Sequence, residues 1–275
     1  MLQDETLGLL RRFDVSLDPA LDEQQLVDRD VIDRLISDAE VGKHDTVLDV
    51  GAGCGNITVA LAERAKRVIA IEKDPKFIPI LESRVGSLGN VEVIIGDALR
   101  MDLPRFDKIA SNLPYRICEA FVQRLIHLEF TRAALVLPTS FAETLGSSAE
   151  DSEYSKLSLI AGAFFTIERR EEVRPEAYYP ASGTLTRIVT LEARAPRDVV
   201  EAVMRRVLAR SDMKLRNALR EALIEAAPVG VGPSTKREAN AVVRSMGLGS
   251  LLDERVARLS LGDLQKLYVK LKPFT

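Results

Sequence analysis

The sequence predicts an α/β fold, a mostly parallel sheet with helices on both faces, followed by a small all-helical C-terminal domain. Three observations predict it. Short apolar runs alternate with segments of helical periodicity over residues 28–138, which is the signature of βα units around a parallel sheet. A glycine cluster, DVGAGCGN, follows the first apolar run, where such sheets turn from strand into helix. Near residues 192–197 the alternation stops, and the chain beyond it is helical and rich in arginine.

The elements follow in order. Val31, Ile32, Leu35, Ile36 and Ala39 recur at helical spacing, so residues 28–39 form a leading helix. Thr46 to Val50 is a short buried strand ending in glycines, NITVALAERA a helix, RVIAIEKD the second strand, and KFIPILESRVGSL a helix that tolerates a proline near its start. VEVIIGDAL is the third strand, FDKIASNLPY the fourth, CEAFVQRLIHL a helix and RAALVLP the fifth strand. The connections are expected to be right-handed crossovers. From Pro138 the pattern loosens through TSFAETLGSSAEDSEY. A helix, SKLSLIAGAFF, comes next, with two β-rich runs, TIERREEV and RIVTLEAR, that add strands at one edge. Pro196 opens the helical region VMRRVLARSDMKLRNALREAL, then a Gly/Pro loop, APVGVGPST, and two more short helical segments. The expected domains are residues 1–194 and 195–275.

Composition narrows the function. With 275 residues, 46% apolar and 29% charged, the chain is that of a globular protein with a sizeable core. Its apolar runs fall far short of the ~20 residues that a bilayer span needs, and the N-terminus MLQDETLGLLRRFD carries acids where a secretory leader would not. The chain reads as cytoplasmic and monomeric, without a membrane partner. Cys54 and Cys118 lack metal or disulfide spacing, so neither a metal site nor a disulfide framework is expected. With only His44 and His127, histidine catalysis is poorly supplied. The net charge of -3 hides an asymmetry, since residues 192–275 hold 16 Lys and Arg against 10 Asp and Glu. A basic tail on an acidic body suits contact with a polyanion.

Gly51, Gly53 and Gly55 alternate where the first strand becomes a helix. Glycine there allows positive φ and lets backbone N–H groups approach a ligand. The third glycine comes one residue early for the dinucleotide fingerprint G-x-G-x-x-G. Glu72 ends the second strand, where an acid can accept from both hydroxyls of a ribose. Asp97 closes the third, in a place to accept from an adenine amine. An acid at a strand end is also an ordinary helix cap or a solvated charge. Three such features at three consecutive strand ends nevertheless favour an adenosine-containing cofactor.

This arrangement resembles the class I methyltransferases that use S-adenosylmethionine and have a Rossmann-like sheet. The resemblance implies that Gly51, Gly53 and Gly55 pass by the methionine part, with Asp49 orienting the loop. It also implies that Glu72 with Lys73 holds the ribose, and that Asp97 with Ala98 contacts adenine. Cys54 is a small filler between glycines.

SNLPY, residues 111–115, ends the fourth strand beside these groups. An exocyclic aromatic amine is a poor nucleophile because its lone pair is delocalised into the ring. Two acceptors for its hydrogens help it become tetrahedral, and Asn112 Oδ1 and the Leu113 carbonyl can supply them, with Pro114 keeping that carbonyl turned outward. Tyr115 can stack on a base, at ~1–3 kcal/mol per base. Neither metal nor general base is required once the amine and a sulfonium methyl are aligned. The plain alternative is a strand-ending turn with a core tyrosine.

The NLPY motif resembles that of amino-methyltransferases, and most closely the small-subunit ribosomal RNA adenine N6,N6-dimethyltransferases, whose relatives are the erythromycin-resistance methyltransferases. The likeness runs through LVDRDVIDRLI, VLDVGAGCGNIT, VIAIEKD, VIIGDAL, SNLPYRIC, YSKLSL and MKLRNAL. It implies a catalytic role for Asn112, Leu113, Pro114 and Tyr115, cofactor contacts from Leu26 and Asn112, and ribosomal RNA or a small-subunit precursor as partner. It also implies substrate contacts from Tyr178, through its ring, and from Arg205, Arg206, Lys214 and Arg216.

The chain departs from that family in three places. The family's Gly-Gln-x-Phe-Leu is DEQQLVD here, with Glu23 and Gln25 where Gln and Phe fall, so that only Leu26 fits. PTSFAETL stands where a Gln-x-Glu pair is normal. YYPASGTLT, residues 178–186, replaces Phe-x-Pro-x-Pro-Lys-Val-x-Ser. On a helix, Arg205, Arg206, Arg210, Lys214, Arg216 and Arg220 could equally be a solvated face pairing with Glu201, Glu221 and Glu225. The leading reading is an adenine dimethyltransferase of small-subunit ribosomal RNA. The alternatives are a divergent paralogue acting on another RNA or a small amine, and a non-catalytic RNA-binding assembly or transcription factor that keeps the cofactor fold.

Overall fold

The structure, a computed structural model, describes residues 1–226 and 233–274. Residues 227–232 of the expected Gly/Pro loop lie outside them. The main sheet holds β1 (Thr46–Val50), β2 (Arg67–Glu72), β3 (Val91–Ile95), β4 (Lys108–Asn112), β5 (Arg132–Pro138), β6 (Phe165–Val173) and β7 (Thr186–Ala193), in the order β3-β2-β1-β4-β5-β7-β6. β1 runs parallel to β2 and β4, β2 to β3, and β4 to β5, whereas β7 is antiparallel to β5. β2 and β5 read as apolar runs because helices cover both faces, and the interior residues of β1, β2 and β5 are buried, Asp49 of β1 included. This is the Rossmann-like arrangement expected from the sequence, with TIERREEV and RIVTLEAR forming the β6–β7 edge.

The helices beside the sheet are α1 (Leu2–Arg12), α2 (Arg29–Asp38), α3 (Asn56–Ala62), α4 (Ile78–Val85), α5 (Cys118–Leu125) and α6 (Thr139–Leu145). α2 begins where the Asp28 carboxylate accepts from the N–H groups of Asp30 and Val31, and it buries Val31, Ile32, Leu35 and Ile36. Two helices lie where the sequence reading expected none. α1 sets Leu10 against Cys54, Phe77 and Ile80, and α6 buries Ala142 and Leu145 within the stretch expected to be loose. A separate two-stranded ribbon pairs Gln25 with Tyr179 and Leu26 with Tyr178, tying the chain before α2 to the chain before β7.

The chain divides into two compact units, Met1–Gly146 with Thr166–Ala193, and Ser147–Phe165 with Arg194–Thr275. Residues 147–165, expected with the sheet, therefore pack with the C-terminal helices. The reason is apolar. α7 (Lys156–Phe164) packs Leu159, Ile160 and Phe164 against the core built from α8 (Val199–Leu208), α9 (Leu215–Ala226), α10 (Lys236–Ser245) and α11 (Leu261–Leu271). Arg194 Nη2 also donates to Gly162 O at 2.6 Å. The long run VMRRVLARSDMKLRNALREAL breaks into α8 and α9, and α9 starts where Leu215 N–H donates to Glu254 O at 2.8 Å. Both cysteines are free and buried. No helix among the described residues is long and apolar enough to cross a membrane.

Phe121 on α5 is fully buried, at 0% exposure. Phe121→Ala is expected to lower the unfolding free energy of the sheet-bearing unit by about 3–5 kcal/mol, through lost burial and a cavity. Urea denaturation followed by circular dichroism measures it.

Candidate active site

The sheet order reverses between β1 and β4, and α/β sheets open a ligand crevice at the strand ends beside such a switch point. A cleft of about 490 Å3 lies there, lined among others by Leu26, Gly51, Gly53, Glu72, Asn112 and Pro114. Lys73, Asp97 and Ala98 line it as well. Its volume is that of an ordinary small-molecule site.

The glycine loop is built from the strand ends. Gly51 has φ +73° and donates its N–H to Ile71 O at 2.8 Å. A Cβ on it would lie 3.0 Å from Pro114 Cδ, so only glycine lets the loop and the SNLPY turn meet. Gly53, with φ +53°, donates its N–H to Glu72 Oε2 at 2.8 Å. Glu72 Oε1 accepts from the N–H groups of Lys73 and Asp74 at 2.7 and 2.8 Å. Burial pushes the Glu72 carboxyl up, and those three N–H groups oppose the shift. Asp97 sits differently, and its carboxyl is held low by the Lys73 ammonium at 2.9 Å and by the Leu99 N–H at 2.9 Å.

Two residues of the expected cofactor set, Gly55 and the Asp49 expected to orient the loop, are not among those that line the cleft. Asp49 is buried beneath the loop, where its Oδ2 accepts from Thr58 Oγ1 at 2.7 Å and so braces the first turns of α3. Desolvation pushes Asp49 up to about 7, against the Thr58 and Ser111 hydroxyls. Gly55 precedes α3 at φ +79°, and a Cβ there would meet Leu81 Cδ1 at 2.8 Å. Cys54 is the expected filler, fully buried, with burial raising its thiol to about 12.

The expected catalytic side chains divide as well. Asn112 ends β4 on the cleft, while the Leu113 side chain is wholly buried. Pro114 has φ -54° and ψ 129°, and its carbonyl accepts the Ile117 N–H at 3.0 Å. Tyr115 is half-buried, and its hydroxyl bonds Ser182 Oγ at 3.0 Å. Tyr178, expected to offer its ring to a base, is 3% exposed. Its ribbon pairing with Leu26 turns it into the core with the α2 and α3 side chains. Its hydroxyl bonds Thr186 Oγ1 at 2.8 Å and donates to Asn112 Oδ1 at 3.4 Å.

The sequence reading missed several wall residues. Gln25, treated as a departure, covers Gly53. Its Oε1 accepts from Cys54 N–H at 2.9 Å, and its Nε2 donates to Glu23 O at 2.9 Å. Asn56 Nδ2 donates to Leu26 O at 2.8 Å. Arg116 bonds Asp22 Oδ2 at 3.2 Å and Leu21 O, which joins the upstream wall to the SNLPY turn. The Asp22–Arg116 partners lie 94 residues apart, and no local signal announces them.

In the second unit, Arg205, expected to face RNA, is turned onto its own unit. Its guanidinium donates to Arg194 O at 2.6 Å and Ala195 O at 3.1 Å, and stacks 5.4 Å over the Phe164 ring. Arg206 lies 3.6 Å from Glu225, Lys214 lies 3.7 Å from Asp253, and Arg216 pairs with the same aspartate. Such exposed pairs contribute only ~0–1 kcal/mol, so these three side chains can exchange a carboxylate for a phosphate.

A family model described as ribosomal RNA adenine dimethylase matches residues 17–232. The probable ribosomal RNA small subunit methyltransferase A of Thermococcus onnurineus is 31% identical over 271 residues, 98% of each chain. The chain belongs to the ribosomal RNA adenine dimethylase family. The corresponding Methanothermobacter thermautotrophicus protein is 33% identical over 269 residues, covering 97% of this chain and 95% of its own. A dimethyladenosine transferase from Plasmodium falciparum shares the fold at TM-score 0.61 and 24% identity, over 90% of this chain and 96% of that one. The 23S rRNA methyltransferase ErmE does so at 0.60 and 23%, over 90% and 99%. In this adenine dimethylase family member, α1 precedes the residues that the family model matches. It nevertheless reaches the cleft wall, since Thr6 Oγ1 donates to Asn56 Oδ1 at 3.2 Å.

The raised carboxyl of Asp49 has a pH signature. Its folded-state pKa lies above the ordinary 3.8, so its contribution to stability is complete below that value and is lost as pH rises through about 7. Asp49→Asn is expected to gain melting temperature relative to the parent as pH rises from about 4 to about 7, and to hold that gain unchanged above about 7. Thermal denaturation across that range measures the difference. A constant offset contradicts it.

Proposed function

We propose that this chain uses S-adenosylmethionine to dimethylate the exocyclic N6 amine of adenines in small-subunit ribosomal RNA. The observation that carries the reading is that Asn112 and Pro114 line the same cleft as Glu72 and Asp97. Binding groups and the Asn112 acceptor thus share one small volume.

The donor set fits the cofactor. Gly51 and Gly53 line the cleft, and Leu26, Ala52 and Ala98 supply apolar wall. A carboxylate offers about four lone-pair sites, and three backbone N–H groups already use Glu72. Capacity remains for one ribose hydroxyl rather than two. Asp97 can accept from the adenine amine, with Lys73 holding it ionised. When bound, S-adenosylmethionine supplies an electrophilic methyl on a positively charged sulfur.

The protein's share is alignment. Asn112 Oδ1, on the cleft, would accept one amine hydrogen, and the Leu113 carbonyl, covered in this structure, would accept the other, which favours a tetrahedral nitrogen. Tyr115 stacks on the base. Holding the amine in line converts an encounter between two molecules into a step within one complex, the largest single advantage available without an acid or base. Arg206, Lys214 and Arg216 are the phosphate-contact candidates that remain.

Purified protein incubated with labelled S-adenosylmethionine and, separately, immature small ribosomal subunits, total tRNA and a small-molecule extract tests the reading. Label is expected in small-subunit RNA alone, and its nucleoside digest is expected to contain N6,N6-dimethyladenosine. Label confined to tRNA or small molecules, or no transfer to any fraction, contradicts it.

A further inference from the structure

Residues 178–186 lose the second proline and the lysine of the family pattern, yet they carry hydroxyls at Tyr178, Ser182 and Thr186. All three are buried, at 3%, 6% and 0% exposure. Together they form a polar cluster directly behind the two catalytic side chains. Thr186 Oγ1 lies 2.8 Å from the Tyr178 hydroxyl, and either oxygen can donate in that bond; with Thr186 as the donor, the single Tyr178 proton goes to Asn112 Oδ1 at 3.4 Å. Ser182 Oγ donates to Thr184 O at 2.8 Å, so the Tyr115 hydroxyl at 3.0 Å is the donor to Ser182. Buried hydroxyls are costly unless partnered, which makes each of these bonds a fixed point.

We propose that Tyr178 and Ser182 are positioning residues, Tyr178 fixing the orientation of the Asn112 carboxamide and Ser182 fixing the Tyr115 ring. The inference rests on the methyl-transfer reading above. The oxygen and nitrogen ends of a carboxamide have nearly the same shape, and a flipped Asn112 presents donors to an amine that needs an acceptor. A hydroxyl donor behind Oδ1 selects the useful orientation. It occupies one lone pair from inside the protein and leaves the other for the substrate. At 3.4 Å the bond is long, so it governs aim more than strength. Burial pushes the Tyr178 hydroxyl far above the ordinary tyrosine range, and it remains a donor at every working pH. The rewritten loop thus braces the motif from within. The phenylalanine of the family pattern has no hydroxyl with which to do so.

The second methyl transfer depends on this aim more than the first, because a monomethylated amine keeps only one hydrogen to offer. Tyr178→Phe keeps the ring and removes the donor. It is expected to lower kcat about tenfold, the effect of roughly one hydrogen bond. KM for small-subunit RNA and calorimetric affinity for S-adenosylmethionine are expected to hold, while product shifts from dimethyladenosine toward monomethyladenosine. Ser182→Ala, a second variant at a small side chain, is expected to raise KM for the RNA severalfold with calorimetric affinity for S-adenosylmethionine held, and a parent-like KM overturns the role of Ser182.

A readout independent of turnover is the 15N side-chain amide signal of Asn112, identified by its loss in Asn112→Ala. Its exchange with water is expected to quicken about tenfold in Tyr178→Phe. Parent-like kcat, product ratio and amide exchange in Tyr178→Phe overturn the inference, as does a fall in cofactor affinity that parallels the fall in kcat. A parent protein that methylates no RNA overturns the reading of the previous subsection instead, and the amide signal then still decides the contact between Tyr178 and Asn112.

Discussion

The carboxylate of Glu72, 7% exposed, accepts backbone N–H groups from Gly53, Lys73 and Asp74. A buried charge is tolerated only with such partners, and that need dictates much of the site. To bring its N–H to Glu72, the loop after β1 folds back over the end of β2 and passes through positive φ at Gly51 and Gly53. The Cβ-free Gly51 then admits the Pro114 ring, which sets the SNLPY turn against the loop. Three strand ends are fastened through one carboxylate and one missing methyl group. The groups suited to a nucleoside and those suited to its transferable methyl are therefore held together at neighbouring strand ends.

Much of this was legible in the sequence because it is local. The strands from β1 to β5 are short, mostly apolar runs followed by turn residues. The glycines, Glu72, Asp97 and Asn112 all fall at strand ends, where topology alone puts them on one rim. What escaped depended on partners distant in the chain. α1 is held by Thr6 on Asn56 and Glu5 on Arg84, pairs separated by 50 and 79 residues, and its own acids and arginines read equally well as a solvated tail. α6 is a single short stretch of mixed character. α7 has an apolar face, but nothing in its sequence says whether the sheet or the C-terminal helices will cover it.

The errors at the site have a common origin. Residue type told that Tyr178 is aromatic, yet its environment decides whether ring or hydroxyl is used, and the antiparallel pairing of Leu26 with Tyr178 turned the ring inward. Gln25 looked like the loss of an aromatic, but a carboxamide in that place finds the Cys54 N–H that the glycine turn exposes. Charge behaved likewise in the second unit. The excess of basic residues was countable, whereas the pairing of Arg206 and Arg210 with Glu225, and the inward turn of Arg205, were not.

On the proposed reading, cofactor binding and methyl transfer reside on different strand ends of one cleft and can be separated. Calorimetric titration of Asn112→Ala with S-adenosylmethionine, beside single-turnover methylation of immature small subunits by the same preparation, tests it most directly. Affinity within a few-fold of the parent, with transfer slowed at least about a hundredfold, is the predicted result. Loss of cofactor affinity in proportion to transfer, or transfer at the parent rate, would contradict it.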